Sequence, residues 1–445
     1  MNLLTKAVRG TQDILPRDSY KIRYVEKTVM EIAENFGFKE IRTPVFEHTE
    51  LFARSVGDTT DVVQKEMYTF EDKGGRSITL RPEGTAGVAR AVLENGLLGD
   101  AAPLRASYIT SCYRYEKPQA GRLREFHQFG VEMFGTASPA ADAEVICLAK
   151  SIIDTLGLEN ISLQINSIGC PKCRARYLEA LREYFGQYKD RLCETCLGRL
   201  ERNPMRILDC KSEVCSEIAK GAPAMTDFLC DECWEHFKKV QAFLDAAGVY
   251  YTVNTSIVRG LDYYTKTVFE FVSDDIGSQG TVCGGGRYDG LIEELGGPAT
   301  CGLGFGMGLE RILLVMENQG CDFPQPDSPM IYLAPMTESA ALECFSAVKT
   351  LRDEGFYAQT DVCGRGLKAQ MKYANKIGAQ YVAVVGEEEL ASGKIKLKDM
   401  ESGAEKEINM ADILDALYDI SYDRTIGHLT EVAEKFGDPD KFPFA

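Results

Sequence analysis

The 445-residue sequence has no apolar run long enough to cross a bilayer. Its N-terminus, MNLLTKAVRGTQDILP, lacks the apolar core and the small-residue cleavage site of a secretory signal peptide. Positive charge is also scarce, because 50 lysines and arginines face 67 acidic residues and leave a formal net charge of -17. The first two absences predict a cytoplasmic protein without a membrane span. The net charge argues against a protein that coats nucleic acid nonspecifically, and it is compatible with local basic patches on a large acidic body.

The length predicts two or three domains, because a single hydrophobic core rarely serves more than about 300 residues. A linker is indicated at residues 321–329, since three prolines in nine residues prevent regular structure. Before the linker we expect a domain over residues 1–325 that contains a cysteine-rich helical insertion at 168–248. After it, short apolar strands alternate with amphipathic helices, which predicts a small α/β domain at 326–420. Residues 421–445 read as a polar tail.

Residues 106–134 predict two antiparallel strands joined by a charged loop. Alternation assigns to one face of the first strand Tyr108, Thr110, Cys112, Arg114 and Glu116, and to one face of the second Phe126, Gln128, Gly130 and Glu132. If these faces coincide, a guanidinium, an aromatic ring, an amide and a carboxylate converge on one patch of sheet. Buried charges are costly unless they are paired or liganded, so the patch favours a site for a ligand with phosphate and polar groups. The alternative is a solvated hairpin face.

Glycine recurs at every second residue of CGLGFGMGLER, at positions 302, 304, 306 and 308. In a strand this pattern leaves one face without side chains, so a flat ligand can lie against the backbone. Tight packing of a strand against a helix through small residues would explain the same pattern. Met307 occupies the third-glycine position of a G-x-G-x-x-G motif, and the sequence has no G-x-x-x-x-G-K-[ST] loop. Arg311 follows at the start of an apolar helix.

Upstream of these strands, residues 17–36 predict an amphipathic helix, and residues 38–46 predict a strand interrupted by Pro44. A hairpin is predicted at 67–82, with its turn at two adjacent glycines. The segment RPEGT then leads into a further helix, for which Thr85 is a candidate N-cap.

The arginine strand YRYE, its return strand and the glycine strand ending in GLER resemble motifs two and three of class II aminoacyl-tRNA synthetases. Within that class, RPEGT (81–85), VRGLDYY (258–264) and GGGRYDGL (284–291) resemble the histidyl-tRNA synthetase family, and the resemblance spans roughly residues 8–419. It implies an α+β class II synthetase core, in which helices flank an antiparallel sheet. It also implies the helical insertion, a C-terminal α/β anticodon-binding domain, and a homodimer with Pro44 near its interface.

The resemblance also implies a reaction, in which histidine and ATP form histidyl-adenylate and the histidyl group then passes to the 3′ end of tRNA(His). Arg114 would hold the α-phosphate, Phe126 would stack on adenine, and Arg311 would hold the outer phosphates. Arg259 would be the cation specific to the family, which stabilises charge on the α-phosphate. Such chemistry needs positioning and charge stabilisation more than a nucleophile, with Mg2+ on the pyrophosphate oxygens. The implied ATP-binding set also includes Glu116 and Arg122.

A histidine-binding set follows from the same resemblance. It consists of Glu83, Thr85, Gln128, Glu132, Arg259, Tyr263, Tyr264 and Tyr288. The first three would bind the α-amino end, whereas Glu132 and the tyrosine pair at 263 and 264 would line the imidazole pocket. An imidazole can donate an N–H, so a carboxylate or phenol in the pocket selects it over amino acids that leave this group unpaired.

Two basic segments are candidate tRNA contacts. On a helix starting near Gly366, a single stripe would be formed by Arg365, Lys368, Lys372 and Lys376. A solvated helix face explains that spacing equally well, and the resemblance to an anticodon-binding domain favours contact with the tRNA backbone. The hairpin loop at 117–124 is basic too, and the resemblance implies that it meets the acceptor end, with Gln119 as a candidate base reader.

Eight of the fifteen cysteines lie within 64 residues, in the pairs Cys170/Cys173, Cys193/Cys196, Cys210/Cys215 and Cys230/Cys233. In a cytoplasmic protein such pairs are reduced thiols or metal ligands, and this spacing suits tetrahedral zinc. Four ligands make one site, so the eight supply either one site with spares or two sites. We prefer one structural zinc held by Cys193, Cys196, Cys230 and Cys233, with Cys210 and Cys215 as substitutes.

Two other functions compete with the synthetase. A regulatory subunit of ATP phosphoribosyltransferase would share the catalytic fold, but it should lack the adenylate-forming residues and the tRNA-binding domain. The presence of Arg114, Arg259, Arg311 and a complete C-terminal domain therefore favours the synthetase. A zinc-dependent nucleic-acid-binding regulator would explain only the cysteines.

Overall fold

The structure is a computed structural model that describes residues 4–56, 60, 62–99, 102–119, 121–210, 212–257, 263–276 and 280–436. It divides into two compact units, Met1–Pro324 and Gln325–Ala445. The division falls inside the proline-rich segment 321–329, which forms neither helix nor strand. No described helix is both long and apolar enough to span a membrane.

The first unit contains β1 (Lys39–Glu40), β2 (Phe46–His48), β3 (Tyr68–Glu71), β4 (Ser77–Leu80), β5 (Leu104–Tyr113), β6 (Glu125–Phe134), β7 (Ile161–Ser167), β8 (Thr252–Val253), β9 (Thr265–Ser273), β10 (Thr281–Arg287) and β11 (Gly302–Gly308). An eight-stranded sheet has the order β1-β5-β6-β11-β10-β9-β7-β8. Its six central strands are antiparallel, and the pairs β1–β5 and β7–β8 at its edges are parallel. The order β2-β4-β3 forms a separate sheet.

The helices of this unit are α1 (Ser19–Asn35), α2 (Thr49–Val56), α3 (Thr85–Glu94), α4 (Pro139–Thr155), α5 (Pro171–Gly186), α6 (Glu194–Arg202), α7 (Glu213–Ala219), α8 (Asp231–Ala246), α9 (Leu291–Glu294) and α10 (Leu309–Gln319). Apolar side chains of α1, α4, α8 and α10 pack on one face of the large sheet. A second core joins the opposite face to the helices between β7 and β8. The predicted helix at 17–36, the hairpin at 67–82 and the helical character of 168–248 are confirmed.

The predicted strand at 38–46 is wrong, because the chain forms two short strands with an irregular segment between them. The guanidinium of Arg81 explains this break. It donates to the carbonyl oxygens of Thr43 (2.8 Å) and Pro44 (3.0 Å) and to that of Ser111 on β5 (2.7 Å). Those carbonyls are therefore satisfied by a side chain, and no strand is needed to pair them.

The second unit contains β12 (Ile331–Pro335), β13 (Ala358–Thr360), β14 (Tyr381–Val385), β15 (Lys394–Asp399), β16 (Glu405–Asn409), α11 (Glu338–Asp353), α12 (Leu367–Lys376), α13 (Glu387–Ser392) and α14 (Ile413–Phe436). Its sheet has the order β13-β12-β14-β15-β16. The predicted α/β alternation is confirmed. The polar tail predicted at 421–445 instead begins inside α14, in which Ile413 and Leu417 are buried, and residues 437–445 lie outside the described part of the chain.

Candidate active site

The pairing of β5 with β6 brings the two predicted strand faces together. The register pairs Tyr108 with Gly130, Thr110 with Gln128, and Cys112 with Phe126. On the other side of β6, the glycine strand β11 continues the same surface. Cys112 and Glu132 are completely buried, so the alternative of a solvated hairpin face is wrong.

A cavity of about 300 Å³ lies over this surface. Of the predicted site residues, its walls contain Glu83, Thr85, Arg114, Glu116, Arg122, Phe126, Gln128, Tyr263, Tyr264 and Arg311. Two others do not line it, because Glu132 and Tyr288 are 0% and 1% exposed and lie behind the wall. Arg259 lies outside the described residues. Gln119 lines a neighbouring cavity.

Gly304 and Gly306 of β11 are required by the close approach of atoms from β6. A Cβ at Gly306 would overlap the Nε2 atom of Gln128 and lie 2.9 Å from its Cδ. A Cβ at Gly304 would overlap the carbonyl oxygen of Val131 and Oε2 of Glu132. The glycines leave one face of β11 without side chains, and the amide of Gln128 and the carboxyl group of Glu132 cover part of this face. Around Gly308 the nearest atoms are Arg311 carbons at 3.8 Å, which leaves that end open to the cavity.

Arg114 and Arg122 form the cationic wall nearest the hairpin loop. Nε of Arg114 donates to the carbonyl oxygen of Pro82 at 2.8 Å, and its guanidinium lies 5.3 Å from the centroid of the Phe126 ring. Arg122 forms an ion pair with Glu116. A guanidinium held at one edge still presents N–H groups that can bind phosphate oxygens.

Arg311 lies beside the same hairpin loop and adds a third cation to the cavity. Its Nε donates to the carbonyl oxygen of Gly121 at 3.0 Å and its Nη1 to that of Thr281 at 2.6 Å. The pKa of Arg311 is lowered by burial and by the nearby charges of Arg122 and Arg114. Mutual repulsion of these cations is relieved when an anion binds among them, so the cavity favours a polyanionic ligand.

The RPEGT segment supplies the carboxylate end of the cavity. Glu83 accepts hydrogen bonds from the backbone N–H groups of Thr85 (2.7 Å) and Ala86 (2.8 Å), at the first turn of α3. Burial raises the pKa of Glu83 despite these bonds. The predicted N-cap role of Thr85 is wrong, because Gly84 is the N-cap and Glu83 satisfies the free N–H groups. Gly84 is needed because a Cβ there would overlap the ring of Tyr108.

Two cavity carboxylates, Glu270 and Glu310, were not singled out from the sequence, although Glu310 directly precedes Arg311 in the GLER segment. Glu310 accepts hydrogen bonds from the backbone N–H (2.9 Å) and Nδ1 (2.7 Å) of His127, and this contact raises the pKa of His127. Glu270 accepts from the hydroxyl of Thr281 at 3.0 Å. Carboxylate oxygens are the ligands that Mg2+ prefers, so both residues fit a divalent cation beside bound phosphates.

Glu132 lies at the centre of a hydroxyl cluster behind the cavity wall. It accepts hydrogen bonds from the hydroxyl of Thr85 (2.7 Å) and from those of Tyr108 (3.0 Å) and Tyr288. Burial raises the pKa of Glu132 to about 8, against the opposing effect of these bonds. A buried carboxyl with such partners is a fixed element of the site.

The raised pKa of Glu132 predicts a pH dependence of stability. Folding favours the protonated carboxyl, so this stabilisation is complete below pH 4.5 and is lost as the pH rises through about 8. The amide of Glu132→Gln does not titrate in this range. The free energy of unfolding of the variant should therefore rise relative to that of the wild type between these pH values, by at most about 1.4 kcal/mol per pH unit. Urea denaturation at a series of pH values measures this difference. A difference that stays constant with pH would contradict the raised pKa.

The cysteines of the insertion form two clusters, each with four sulfur atoms within 4.8 Å of one another. One comprises Cys170, Cys173, Cys230 and Cys233, and the other Cys193, Cys196, Cys210 and Cys215. The single site preferred from the sequence is therefore wrong in its grouping, because it combined one pair from each cluster. The second cluster is nested within the chain segment that connects the two halves of the first.

The basic stripe of the second unit is narrower than predicted. Lys368, Lys372 and Lys376 are exposed on α12, and the apolar residues of this helix pack inward as expected. Arg365 does not belong to the stripe. It precedes the helix, pairs with Asp361 at 3.2 Å, and lies 4.4 Å from the centroid of the Tyr373 ring. Among the residues that the structure describes, none forms an ion pair with the three lysines.

Comparison with known proteins identifies the family. A family model of histidyl-tRNA synthetase matches residues 10–192 and 204–312, and a model of the anticodon binding domain matches residues 330–420. Proteins named histidine--tRNA ligase from Caldanaerobacter subterraneus subsp. tengcongensis and Acetivibrio thermocellus are each 55% identical to the chain over 415 residues, which is 93% of this chain and 100% of theirs.

Solved structures agree with this match. Apo histidyl-tRNA synthetase from S. aureus superimposes with a TM-score of 0.80 at 39% identity, over 93% of this chain and 100% of that one. An ATP phosphoribosyltransferase regulatory subunit/histidyl-tRNA synthetase from Bacillus halodurans C has a TM-score of 0.63 at 23% identity, over 87% of this chain and 99% of that one. The latter likeness shows the fold alone. With its class II fold and these matches over most of its length, the chain belongs to the histidyl-tRNA synthetase family.

Proposed function

We propose that this chain activates L-histidine with ATP, transfers the histidyl group to tRNA(His), and binds the histidyl-adenylate in the cavity over β6 and β11. The observation that carries this assignment is the convergence of Arg114, Arg311 and Gln128 on one cavity. Guanidinium groups suit the phosphates, and the amide suits the polar end of an amino acid. Membership in the histidyl-tRNA synthetase family supplies the identity of that amino acid.

The nucleotide end of the proposed site lies among the cavity arginines. Arg114 binds the α-phosphate, Arg311 binds the outer phosphates, and the ring of Phe126 stacks on adenine. The paired Glu116 and Arg122 complete the binding set. Attack of the histidine carboxylate oxygen on the α-phosphorus expels pyrophosphate, and fixed guanidinium groups stabilise the charge that develops. Glu270 and Glu310 would hold Mg2+, which neutralises charge on the pyrophosphate.

The histidine end lies against RPEGT and β6. Glu83, Thr85 and Gln128 bind the α-amino group, and the rings of Tyr263 and Tyr264 form the wall of the imidazole pocket. Two buried groups, Glu132 and Tyr288, complete the pocket from behind. The carboxyl group of Glu132 orients the hydroxyls of Thr85 and Tyr288. Arg259 is proposed as the cation at the α-phosphate on the strength of the VRGLDYY resemblance alone.

Histidine-dependent exchange of radioactive pyrophosphate into ATP tests the proposal. The enzyme should show exchange with histidine and not with other amino acids, and Arg259→Ala should nearly abolish it while leaving thermal unfolding unchanged. A non-catalytic regulatory subunit of ATP phosphoribosyltransferase would show no exchange at all. That alternative has less support, because the cavity arginines and the domain matching the anticodon-binding model are both present.

We further propose that residues 326–420 bind the anticodon region, that residues 1–325 form the catalytic domain around the insertion at 168–248, and that Gln119 meets the tRNA acceptor end. The three exposed lysines of α12 then neutralise backbone phosphates. Their joint replacement by alanine should raise the KM for tRNA. A plot of the logarithm of the tRNA association constant against the logarithm of the salt concentration should become less steep, with a slope smaller by about 2, because fewer counterions are released. Pyrophosphate exchange, which needs no tRNA, should not change.

A matched triple variant lies on β15 of the same unit, at Lys394, Lys396 and Lys398. These lysines face acidic residues across the β15–β16 pair, so they carry little uncompensated charge. Replacing them by alanine should leave the salt dependence of tRNA binding near that of the wild type. Equal effects of the two triple variants would contradict a specific role for α12.

We also propose that the enzyme is a homodimer and works in the cytoplasm, where its family takes part in translation. Pro44 lies beside the three-stranded sheet, one face of which exposes Phe46 and Phe70. Exposed apolar residues that share a face favour burial against a partner. Sedimentation at the mass of a single chain would contradict the dimer.

A further inference from the structure

The two cysteine clusters have the sulfur spacing of single-metal sites. In the first, Sγ of Cys170 and Sγ of Cys173 are 3.5 Å apart, and in the second, Sγ of Cys193 and Sγ of Cys210 are 3.9 Å apart. A tetrahedral ion with zinc–sulfur bonds of about 2.3 Å requires sulfur atoms about 3.8 Å apart. A disulfide requires about 2 Å, so these cysteines are not poised as oxidised pairs.

Backbone geometry prepares the sulfur atoms to carry negative charge. Cys170, Cys193 and Cys230 are the N-cap residues of α5, α6 and α8, where helix dipoles favour anions. The N–H of Cys230 donates to Sγ of Cys173 at 3.1 Å, and the N–H of Cys193 donates to Sγ of Cys215 at 3.2 Å. Each of these bonds joins the two halves of a cluster, which suits a thiolate that is also a metal ligand.

We propose that the insertion holds two structural Zn2+ ions, one bound by the thiolates of Cys170, Cys173, Cys230 and Cys233 and the other by those of Cys193, Cys196, Cys210 and Cys215. Each thiol releases its proton to solvent as its sulfur binds zinc. Four sulfur ligands leave no open position, so the ions stabilise the fold and take no part in chemistry.

The insertion has a physical need for such cross-links. Its helices α6 and α7 have nine and seven residues, which is too short for stability without external support. The first site connects residues 57 positions apart in the sequence, and the second connects residues 22 positions apart. Zinc that binds the folded sites, and not the unfolded chain, offsets the entropy cost of closing loops of this length.

The first site also touches the segment that carries Tyr263 and Tyr264. Its N-terminal half contributes Gly169, whose carbonyl oxygen accepts from the N–H of Lys266 at 2.9 Å. Its C-terminal half contributes Glu232, whose carboxylate pairs with Nζ of the same lysine at 3.1 Å. Arg174, on α5 just after the first cysteine pair, donates to the carbonyl oxygen of Tyr264. Both halves of the first site thus hold the tyrosine wall of the cavity.

Metal analysis of the full-length protein, purified without chelator, tests the two sites. We expect two zinc equivalents per chain in the wild type. Cys170→Ser/Cys173→Ser and Cys193→Ser/Cys196→Ser should each retain one equivalent, because each removes half of one cluster. The control Cys363→Ser, at an exposed cysteine of the second unit, should retain two. A wild-type content of one equivalent or less, or iron in place of zinc, overturns the proposal.

Two further measurements keep the test decisive if a variant fails to fold. X-ray absorption of the wild type should show zinc with four sulfur neighbours at about 2.3 Å, and nitrogen or oxygen in that shell would overturn the ligand sets. Cys210→Ser/Cys215→Ser should lose one equivalent. Retention of both equivalents would overturn the second ligand set.

The contact with the tyrosine wall predicts unequal functional consequences, an expectation that rests on the proposed function. Loss of the first site through Cys170→Ser/Cys173→Ser should raise the KM for histidine in pyrophosphate exchange by about tenfold or more, since small misplacements of a binding wall are costly. Loss of the second site through Cys193→Ser/Cys196→Ser should leave this KM unchanged. Equal KM values in both variants would overturn the positioning role. Zinc content is measured without activity, so it separates this outcome from a failure of the function.

Discussion

Arg114→Ala should lower histidine-dependent pyrophosphate exchange by about 100- to 1,000-fold, because it removes a fixed cation from the point where charge develops. The guanidinium is held by the Pro82 carbonyl and lies over Phe126, so it is oriented before the substrate binds. The loss should fall mainly on kcat, since the interaction strengthens as the α-phosphate becomes five-coordinate. Stopped assays of exchange at saturating ATP and histidine measure it.

Two further variants distinguish the effect of the charge of Arg114 from the effect of its planar geometry and from a general effect of losing an arginine. Arg114→Lys keeps the positive charge and loses the planar fork, so its exchange rate should fall between those of the wild type and the alanine variant. Arg17→Ala removes a 78% exposed arginine that pairs only with its neighbour Asp18 among the described residues, and it should match the wild type. Exchange by Arg114→Ala at a rate close to that of Arg17→Ala would refute the proposed contact with the α-phosphate.

Gly306→Ala should raise the KM for histidine by about 10- to 100-fold, the effect of losing a hydrogen bond to a charged group. The added methyl would overlap Nε2 of Gln128, and the strand cannot move aside because Gly306 is paired with Gly130 on one side and Gly284 on the other. The amide must then leave its place, and it loses the hydrogen bond from the N–H of Gly84 at 3.1 Å. The KM for ATP should change much less.

A double-mutant cycle makes this prediction specific. If the methyl acts by displacing the Gln128 side chain, Gln128→Ala alone should reproduce the effect, and Gly306→Ala/Gln128→Ala should be no worse than either single variant. Gly290→Ala is the matched control, because a methyl there has its nearest neighbour at 3.9 Å and the residue lies outside the cavity. Additive effects of Gly306→Ala and Gln128→Ala would contradict the displacement.

Several features of the site were predictable from local pattern. The period-2 alternation of residues 106–134 predicted a hairpin and the face on which its polar residues meet, because adjacent antiparallel strands joined by a short loop have little freedom of register. The short loop between these strands also places Arg122 beside Glu116, because both residues lie close to the same turn of the chain. Arg114 and Arg311 were found through short motifs, and both line the cavity.

Other features depended on neighbours that are distant in sequence. Alternating glycines indicated a bare strand face, but only the pairing of β11 with β6 shows that Gln128 and Glu132 occupy part of it. The alternation also predicted Glu132 on the cavity wall. In the structure it lies behind the wall among hydroxyl groups, where the absence of a side chain at Gly304 leaves room for it. In the same way, Arg365 matched the spacing of the lysine stripe, but in the structure it precedes α12 and forms an ion pair with Asp361.

By itself the sequence determined the family, the reaction, the strand faces and the presence of closely spaced cysteine pairs, because each of these depends on residues within one or two neighbouring elements. Only the tertiary structure decided which cysteine pairs lie in one cluster and which polar groups are buried. Both depend on how helices such as α5 and α8 are brought together across a long insertion. Contacts between residues so far apart in the sequence produce no periodic pattern, so they cannot be predicted from the sequence and are seen only in the packed structure.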